Sequence, residues 1–568
     1  MTSRRAFIET AVLSAVGISA RNVGAGERGN ERTNGRARRG TGFIDARRPP
    51  DLVLAQTETG ERRLQRASNG RWTMDDIVVT TSPRSDSLNV SLSAPRSAVK
   101  RLHLRWRGNL SAVRQILGDA WERGYGDLEW RGWVVDRVMP WYAATFDGSR
   151  THGYGVGTGA RAFCFWQIDP EGLSLWTDVR SGGTGVQLGE RVLDVCDVVC
   201  RAGHPGESSF SALHAFCAEM CRNPRMPAHP VYGHNDWYWA YGKNSAETVI
   251  SDVGHIVDLS PPGENRPFAV IDDGWQPVRG QARTGVGTWD RGNEKFPDMP
   301  GLAASVKRGG ARPGIWIRPL QAMMDAPDSW RLARDRTFLD PSIPDVREKV
   351  AADIARLREW GFELIKHDYT TYDILGRWGF QMGAAMTRDG WTFAAGPSRT
   401  TAEVIGDLYG TIRRAAGESL VIGCNTVSQL SAGHFEICRV GDDTSGTEWL
   451  RTRKMGVNTL AFRGVQHGAF YVADPDCVGV TNAIPWSLNR EWLDLLARSG
   501  TMLFVSLDPG ALGAEQRRDL TSALALAATP KPLGEPLDWR RTVYPSRWRL
   551  MGRERTYDWV GADGPGLP

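Results

Sequence analysis

At 568 residues the chain exceeds what one ordinary core organises, so two or three domains are expected. A hydrophobic fraction of 41% with 24% charged residues excludes a disordered chain. The net charge of +5 belongs largely to the arginine-rich N-terminal stretch, and no basic patch follows it, which argues against a nucleic-acid-binding protein.

Residues 1–40 read as a twin-arginine-type export signal followed by a disordered spacer. Ser3-Arg4-Arg5-Ala6-Phe7-Ile8 leads into an apolar run that ends near Ile18, too short for a stable membrane anchor. The Gly-, Arg- and Asn-rich stretch to Gly40 has the composition of a spacer. The expected location is periplasmic or extracellular. Eight cysteines occur, none in a CxxC pair, and no His/Cys spacing matches a zinc site; no metal and no cofactor is expected. Cys196 with Cys200, and Cys217 with Cys221, have the i,i+4 spacing of a helix face.

Residues 41–225 read as an N-terminal β-sandwich domain with a linking helix. Strand-like runs such as Leu88–Leu92, Val99–Leu104 and Ala162–Trp166 alternate with Gly and Asp turn signals. A helix-like insert is expected after Leu110. Ser208 to Cys221 carries Phe210, Leu213, Phe216, Cys217 and Met220 at helical spacing.

From 226 to 528 strand and helix patterns alternate. Eight strands are expected, at 231–237, 268–274, 314–319, 363–369, 420–425, 437–443, 469–476 and 502–508. Of the helices between them, Pro344–Trp360 is the clearest, with Val346, Val350, Ile354, Leu357 and Trp360 on one stripe. Further helices are expected near Leu302, from about Leu488 to Arg498 and from about Ala514 to Leu526. Eight such units in about 300 residues are the pattern of a (β/α)8 TIM barrel. An open doubly wound sheet is the competing arrangement, but no Gly-rich phosphate loop follows the first strand. Residues 529–568 suffice for a short C-terminal β cap, with strand-like Arg541–Tyr544 and Trp548–Met551. The fold class is therefore α/β.

In such barrels the chemistry sits at the C-terminal strand ends. Here these ends carry Asn235-Asp236, Asp272-Asp273, Trp316 with Arg318, Lys366-His367-Asp368, Cys424-Asn425, Asp442-Asp443 and Asp474-Pro475-Asp476. A single acidic strand end is commonly a helix cap or turn. Several on one rim repel one another unless a polyol or a cation lies among them. Nothing there has the ligand set of a dedicated metal site, so a sugar is the better match. Alternation along a strand places Lys366 and Asp368 on one face, where the lysine favours an ionised aspartate. An ionised, positioned carboxylate is what a covalent glycosidase uses as its nucleophile. The plain alternative is an ion pair at a strand end. His367 points the other way and is expected to pack in the core.

Asp272-Asp273-Gly274-Trp275, Lys366-x-Asp368, Arg439-x-x-x-Asp443 and Asp474-Pro475-Asp476, in this order, resemble the barrel motifs of the α-galactosidase clan, glycoside hydrolase families 27 and 36. Asn293-x-Lys295-Phe296-Pro297 and Gly314-Ile315-Trp316 are similar to further shared features, and the β domain ahead of the barrel resembles family 36 more than family 27. The resemblance implies a retaining mechanism with Asp368 as nucleophile and Asp443 as acid/base, Asp442 being the runner-up. It implies Asp272, Asp273, Trp316, Lys366, Asn425, Arg439 and Asp476 as substrate-binding residues. The expected activity is that of an α-galactosidase acting on an oligosaccharide or glycan. α-N-acetylgalactosaminidase, β-L-arabinopyranosidase and transglycosylase activities remain open within the clan, and a non-catalytic sugar-binding protein outside it. Two departures stand out. Cys424-Asn425-Thr426-Val427 lacks the acidic or bulky recognition residues of some α-galactosidases, and the C-terminal segment is shorter than the family's usual β domain.

Overall fold

The structure, a computed structural model, describes residues 42–68, 70–277, 288–323, 325–561 and 564. The expected export signal and spacer lie outside the described residues. The described residues, which begin at Gly42, form one compact unit.

The N-terminal region is built from two antiparallel sheets of six and eight strands. Leu88–Ser93 shows how the sequence specifies them: Leu88, Val90 and Leu92 are buried while Asn89, Ser91 and Ser93 are only half-buried. The two sheets meet through side chains such as Tyr154 of the larger and Trp166 of the smaller, whose ring centroids lie 6.2 Å apart. The helix expected after Leu110 does not form. Gln115–Gly118 is instead a strand paired with Tyr142–Phe146, because Ile116, Leu117 and Gly118 find an open sheet edge to bury against. Cys196 and Cys200 lie on the strand Leu193–Arg201, so their spacing is not that of a helix face. Cys217 does lie on the helix Ser209–Met220, with Cys221 capping its end. All eight cysteines are free and buried.

A nine-stranded parallel sheet follows. Its strands are β1 (Tyr232–Asn235), β2 (Phe268–Ile271), β3 (Arg312–Ile317), β4 (Leu364–His367), β5 (Leu420–Gly423), β6 (Ile437–Arg439), β7 (Val472–Asp474), β8 (Cys477–Val480) and β9 (Leu503–Leu507). Their lateral order is β7-β6-β5-β4-β3-β2-β1-β9-β8, so most chain neighbours are also sheet neighbours. Within the expected strand 469–476 only Val472–Asp474 is a strand, and a second short strand, Cys477–Val480, follows just beyond it. Pro475 has no N–H to continue the ladder, and Asp476 adopts φ +74°, a left-handed conformation that ends β7 and starts β8 in a new direction.

Both faces of the sheet are apolar, as a parallel sheet covered on both sides requires. Ile315, Ile365, Val421 and Cys438 join the core shared with the helices. Phe268, Val270, Leu364, Ile422, Ile437, Cys477 and Phe504, from six strands, form a second cluster on the opposite face. Among the helices, Pro344–Glu359 starts with proline in its first turn, buries Val346, Val350, Ile354 and Leu357, and ends before Gly361 at φ +101°. Met299–Arg308, Trp486–Ser499 and Ala514–Ala527 fall where periodicity places them.

The C-terminal segment forms a three-stranded antiparallel sheet. Arg541–Tyr544, expected as a strand, is a turn: Asp538 accepts from the backbone of Ser546 and Arg547, which folds the intervening segment into a loop before Arg547–Leu550.

Candidate active site

Alternation along β4 points Leu364 into the second cluster and carries Lys366, then Asp368, along the same face to the C-terminal rim. Asp368 is half-buried. Its Oδ2 accepts from Trp316 Nε1 at 3.2 Å and its Oδ1 from the backbone N–H of Tyr369 at 2.8 Å. Tyr369 itself sits at φ +67°, an uncommon conformation for a bulky residue, directly beside this carboxylate. The Arg318 guanidinium lies 4.0 Å from the Tyr369 ring centroid and grips the buried Asp373 through both oxygens, at 2.7 and 3.1 Å. The loop after β4 is thus held from below and from the side.

Lys366 reaches across β3 to Asp272, with Nζ 2.6 Å from Oδ2. Burial is the largest single influence and works against the ammonium, but the Asp272 carboxylate together with Cys424 and Asp476 holds Lys366 well above the ordinary lysine range. Asn235 Nδ2 donates to the same oxygen at 2.8 Å. Asp273 is half-buried and accepts from Gln276 Nε2 at 2.6 Å; burial pushes its carboxyl up. Between them and the core, Gly274 at φ +121° leaves room that a Cβ would deny, since it would lie 2.6 Å from Asn244 Oδ1. Trp275 is fully buried and donates to the Trp316 carbonyl at 2.8 Å, while Asn293 Nδ2 donates to the Gly274 carbonyl at 2.7 Å. These motif residues shape the rim from behind.

Arg439, at the end of β6, is buried among three carboxylates. Its NH1 donates to Asp443 Oδ1 at 3.2 Å, its Nε to Asp474 Oδ2 at 3.4 Å, and its NH2 lies 2.8 Å from Asp476 Oδ1. The other oxygen of Asp476 accepts from Tyr238 Oη and from the backbone and hydroxyl of Thr444. Asp476 therefore braces the rim. Asn425 is likewise buried: its carbonyl accepts from Thr370 and Thr371, and its Oδ1 from the Tyr372 N–H at 3.1 Å. It ties β5 to the loop that follows Asp368. His367 is buried against Phe435 and Tyr409, the packing role expected of it.

The neighbouring acids after β6 have different surroundings. Asp442 is held by two guanidiniums, Arg123 at 2.7 Å on Oδ1 and Arg451 at 2.8 Å on Oδ2. Asp443 contacts Arg439 and, at 3.7 Å, Arg123.

Sequence reasoning missed Arg123. It belongs to the N-terminal region, where nothing in a strand pattern signals a site. Its neighbours Glu122, Gly124 and Tyr125 make a polar and aromatic cluster in a β-rich stretch, which was the available clue. Trp378 also went unmarked. It stacks on Tyr372 with ring centroids 4.6 Å apart and lies 5.8 Å from the Arg123 guanidinium, and exposed Phe380 packs on Tyr125 at 4.9 Å. Together they give one side of the rim an aromatic lip.

No protein-family model matches the sequence, and no curated protein is significantly similar to it. Among solved structures the fold is shared with α-galactosidases. TtGalA of Thermus thermophilus, solved with p-nitrophenyl α-D-galactopyranoside, superposes with a TM-score of 0.57 at 16% identity, covering 89% of this chain and 99% of that one. The family 36 α-galactosidase AgaA of Geobacillus stearothermophilus gives 0.54 at 15% identity, over 90% and 79% of the two chains. A family 31 sulfoquinovosidase of E. rectale gives 0.54 at 11% identity, over 91% and 88%. At these identities the likeness is one of fold: a parallel α/β sheet behind a β-rich N-terminal region.

Proposed function

We propose that the protein is a retaining α-glycosidase of the α-galactosidase clan, with α-galactosidase as its activity. The observation that carries this is the arrangement of Asp368 and Asp443 on one rim, two strands apart, with Trp316 donating to the first and Arg439 to the second. In this reading the sheet is a closed (β/α)8 barrel, β7 and β8 being halves of its seventh strand. The second apolar cluster, to which six strands contribute, is what a barrel interior would contain.

Asp368 attacks the anomeric carbon and forms a glycosyl ester while the leaving oxygen takes a proton from Asp443. Asp443, now ionised, then deprotonates the water that cleaves the ester. The hydrogen bonds from Trp316 and the Tyr369 amide aim the Asp368 carboxylate and favour its ionised form. Asp272, Asp273, Lys366 and Trp316 line the side that receives sugar hydroxyls. Asp442, with both oxygens engaged by arginines, is less suited to proton transfer than Asp443. Asn425, Arg439 and Asp476 act by holding these groups in place. No cofactor or metal takes part in this scheme.

The relatives named above supply the choice of sugar: TtGalA is described with an aryl α-galactoside and with stachyose. Export through the twin-arginine route, suggested by Arg4-Arg5, would bring the enzyme to oligosaccharides outside the cytoplasm. A panel of p-nitrophenyl glycosides tests the reading. The α-galactoside should be the preferred substrate; turnover confined to the α-N-acetylgalactosaminide or the β-L-arabinopyranoside would move the assignment within the clan, and no turnover of any would overturn it.

A further inference from the structure

We infer that Arg123, supplied by the N-terminal region, is a positioning residue for the proton donor, so that the catalytic rim is complete only with that region docked on it. This rests on the reading of Asp443 as acid/base.

Arg123 is 2% exposed and lies between two acids of β6's rim, 2.7 Å from Asp442 Oδ1 and 3.7 Å from Asp443 Oδ1. A buried guanidinium in this position is anchored by its backbone. The Gly124 N–H donates to the Val440 carbonyl at 2.8 Å, and the Asp442 N–H donates back to the Gly124 carbonyl at 2.9 Å. This short parallel bridge sets the Arg123 loop in register with the residues that carry the two acids. The approach is close: a Cβ on Gly124 would lie 2.7 Å from Thr459 Cγ2. On the other side the Glu122 carbonyl accepts from Arg463 NH1 at 2.9 Å and from the Ser428 hydroxyl. Arg463 in turn pairs with buried Asp119 of the same N-terminal loop, at 2.8 Å. Fixed donors and acceptors on both flanks leave the Arg123 head little freedom.

The charges around Asp443 give Arg123 its effect. Arg439 and Arg123 contact it, Arg451 lies beyond Asp442, and Asp442, Asp476 and Tyr238 add negative or acidic neighbours. Glu122, buried beside Arg123 with Nε 3.4 Å from Oε1, also has Tyr125 Oη as a donor. Arg123 occupies Asp442, which turns that acid away from proton transfer, and it offsets the negative charge next to Asp443. An opposite charge at such range favours the carboxylate. Arg123 therefore lowers the pH at which Asp443 loses its proton, and Asp442 raises it.

The test is the alkaline limb of the kcat/KM–pH profile of the full-length protein, measured with p-nitrophenyl α-D-galactopyranoside and with stachyose. Arg123→Gln should move that limb up by about one pH unit and Arg123→Lys by much less. Asp442→Asn should move it down, and the double variant should fall between. At the optimum, Arg123→Gln should cost about ten- to a hundredfold in kcat on stachyose and only a few-fold on the aryl glycoside, whose leaving group needs little protonation. Should Arg123→Gln not fold, Arg123→Lys carries the comparison through the ratio of kcat on stachyose to kcat on the aryl glycoside, which should fall because lysine lacks the planar fork that spans both acids; an unchanged ratio overturns the inference. An active wild type whose limb ignores both substitutions overturns this inference while leaving the functional reading intact; a wild type inactive on both glycosides contradicts the α-galactosidase assignment on which the inference rests.

Discussion

Lys366 Nζ sits 2.6 Å from Asp272 Oδ2 with both side chains buried, so the lysine of the Lys-x-Asp motif is joined to the motif of a different strand. The pair fixes β2 and β4 at the level where a sugar ring would lie. Removing one member leaves the other charge buried without compensation, which costs about 3–5 kcal/mol. Lys366→Met should lower the melting temperature and reduce kcat/KM by about a hundredfold or more. Lys366→Met with Asp272→Asn should recover much of the thermal stability and none of the activity. A double variant no more stable than the single one would show that the pair is not what the stability depends on.

Asp236 gives a pH dependence with a definite sign. Burial first, and the adjacent Asp272 second, push its carboxyl from the ordinary 3.8 up to about 7. A carboxyl with a raised folded-state pKa binds its proton more tightly folded than unfolded. Its contribution to stability is complete below about 4 and is lost as the pH rises toward 7. Asp236→Asn cannot titrate, and Asn244 Oδ1, buried without a hydrogen-bond partner, is available to an added amide after a flip of the Asn244 side chain. Thermal melts between pH 4.5 and about 8 should therefore show a flatter profile for Asp236→Asn than for wild type, with the gain at the alkaline end. Parallel profiles would remove Asp236 as the source.

Much of this was legible in the sequence because strand ends and helix stripes have fixed periods. The alternation Leu364, Lys366, Asp368 put lysine and aspartate on the face they occupy, and the Val346 to Leu357 stripe marked its helix nearly to the residue. What escaped was whatever depends on contacts between distant segments. Alternation shows that Lys366 faces the rim but not that it contacts Asp272, nearly a hundred residues earlier. Asn425 and Asp476 were legible as polar strand ends; that Asn425 Oδ1 accepts from Tyr372 and that Asp476 is held by Thr444 and Arg439 is visible only in three dimensions. The end of β7 was written in Pro475, but a proline near a strand end does not announce a left-handed Asp476 or a further strand just after it. Arg123 was least legible, since its role follows from the docking of one region on another.

The two adjacent acids should separate by leaving group. Asp443→Ala should slow stachyose by about 10²- to 10⁴-fold and p-nitrophenyl α-D-galactopyranoside far less. Azide, which needs no deprotonation, should restore turnover of the aryl glycoside and yield the glycosyl azide. Asp442→Ala should show neither the contrast nor the rescue. Rescue by azide in Asp442→Ala alone would transfer the acid/base role to that residue.

Export makes a prediction independent of the site. Replacing Arg4 and Arg5 by lysine should strand the protein in the cytoplasm, as read by fractionation and immunoblotting. Undiminished export of that variant would exclude the twin-arginine route.

In the proposed mechanism Asp368 forms the covalent bond to the sugar. Asp368→Ala should abolish turnover of every glycoside while preserving the thermal melt, because a half-buried rim residue contributes little to the core. The direct measurement is mass spectrometry of wild-type protein inactivated with an activated fluorinated α-galactoside, in which the fluorine slows breakdown of the glycosyl ester. A single added fluorosugar is expected, carried on the peptide containing Asp368 and absent from Asp368→Ala. An adduct on any other carboxylate, or a product released with inverted anomeric configuration, would contradict it.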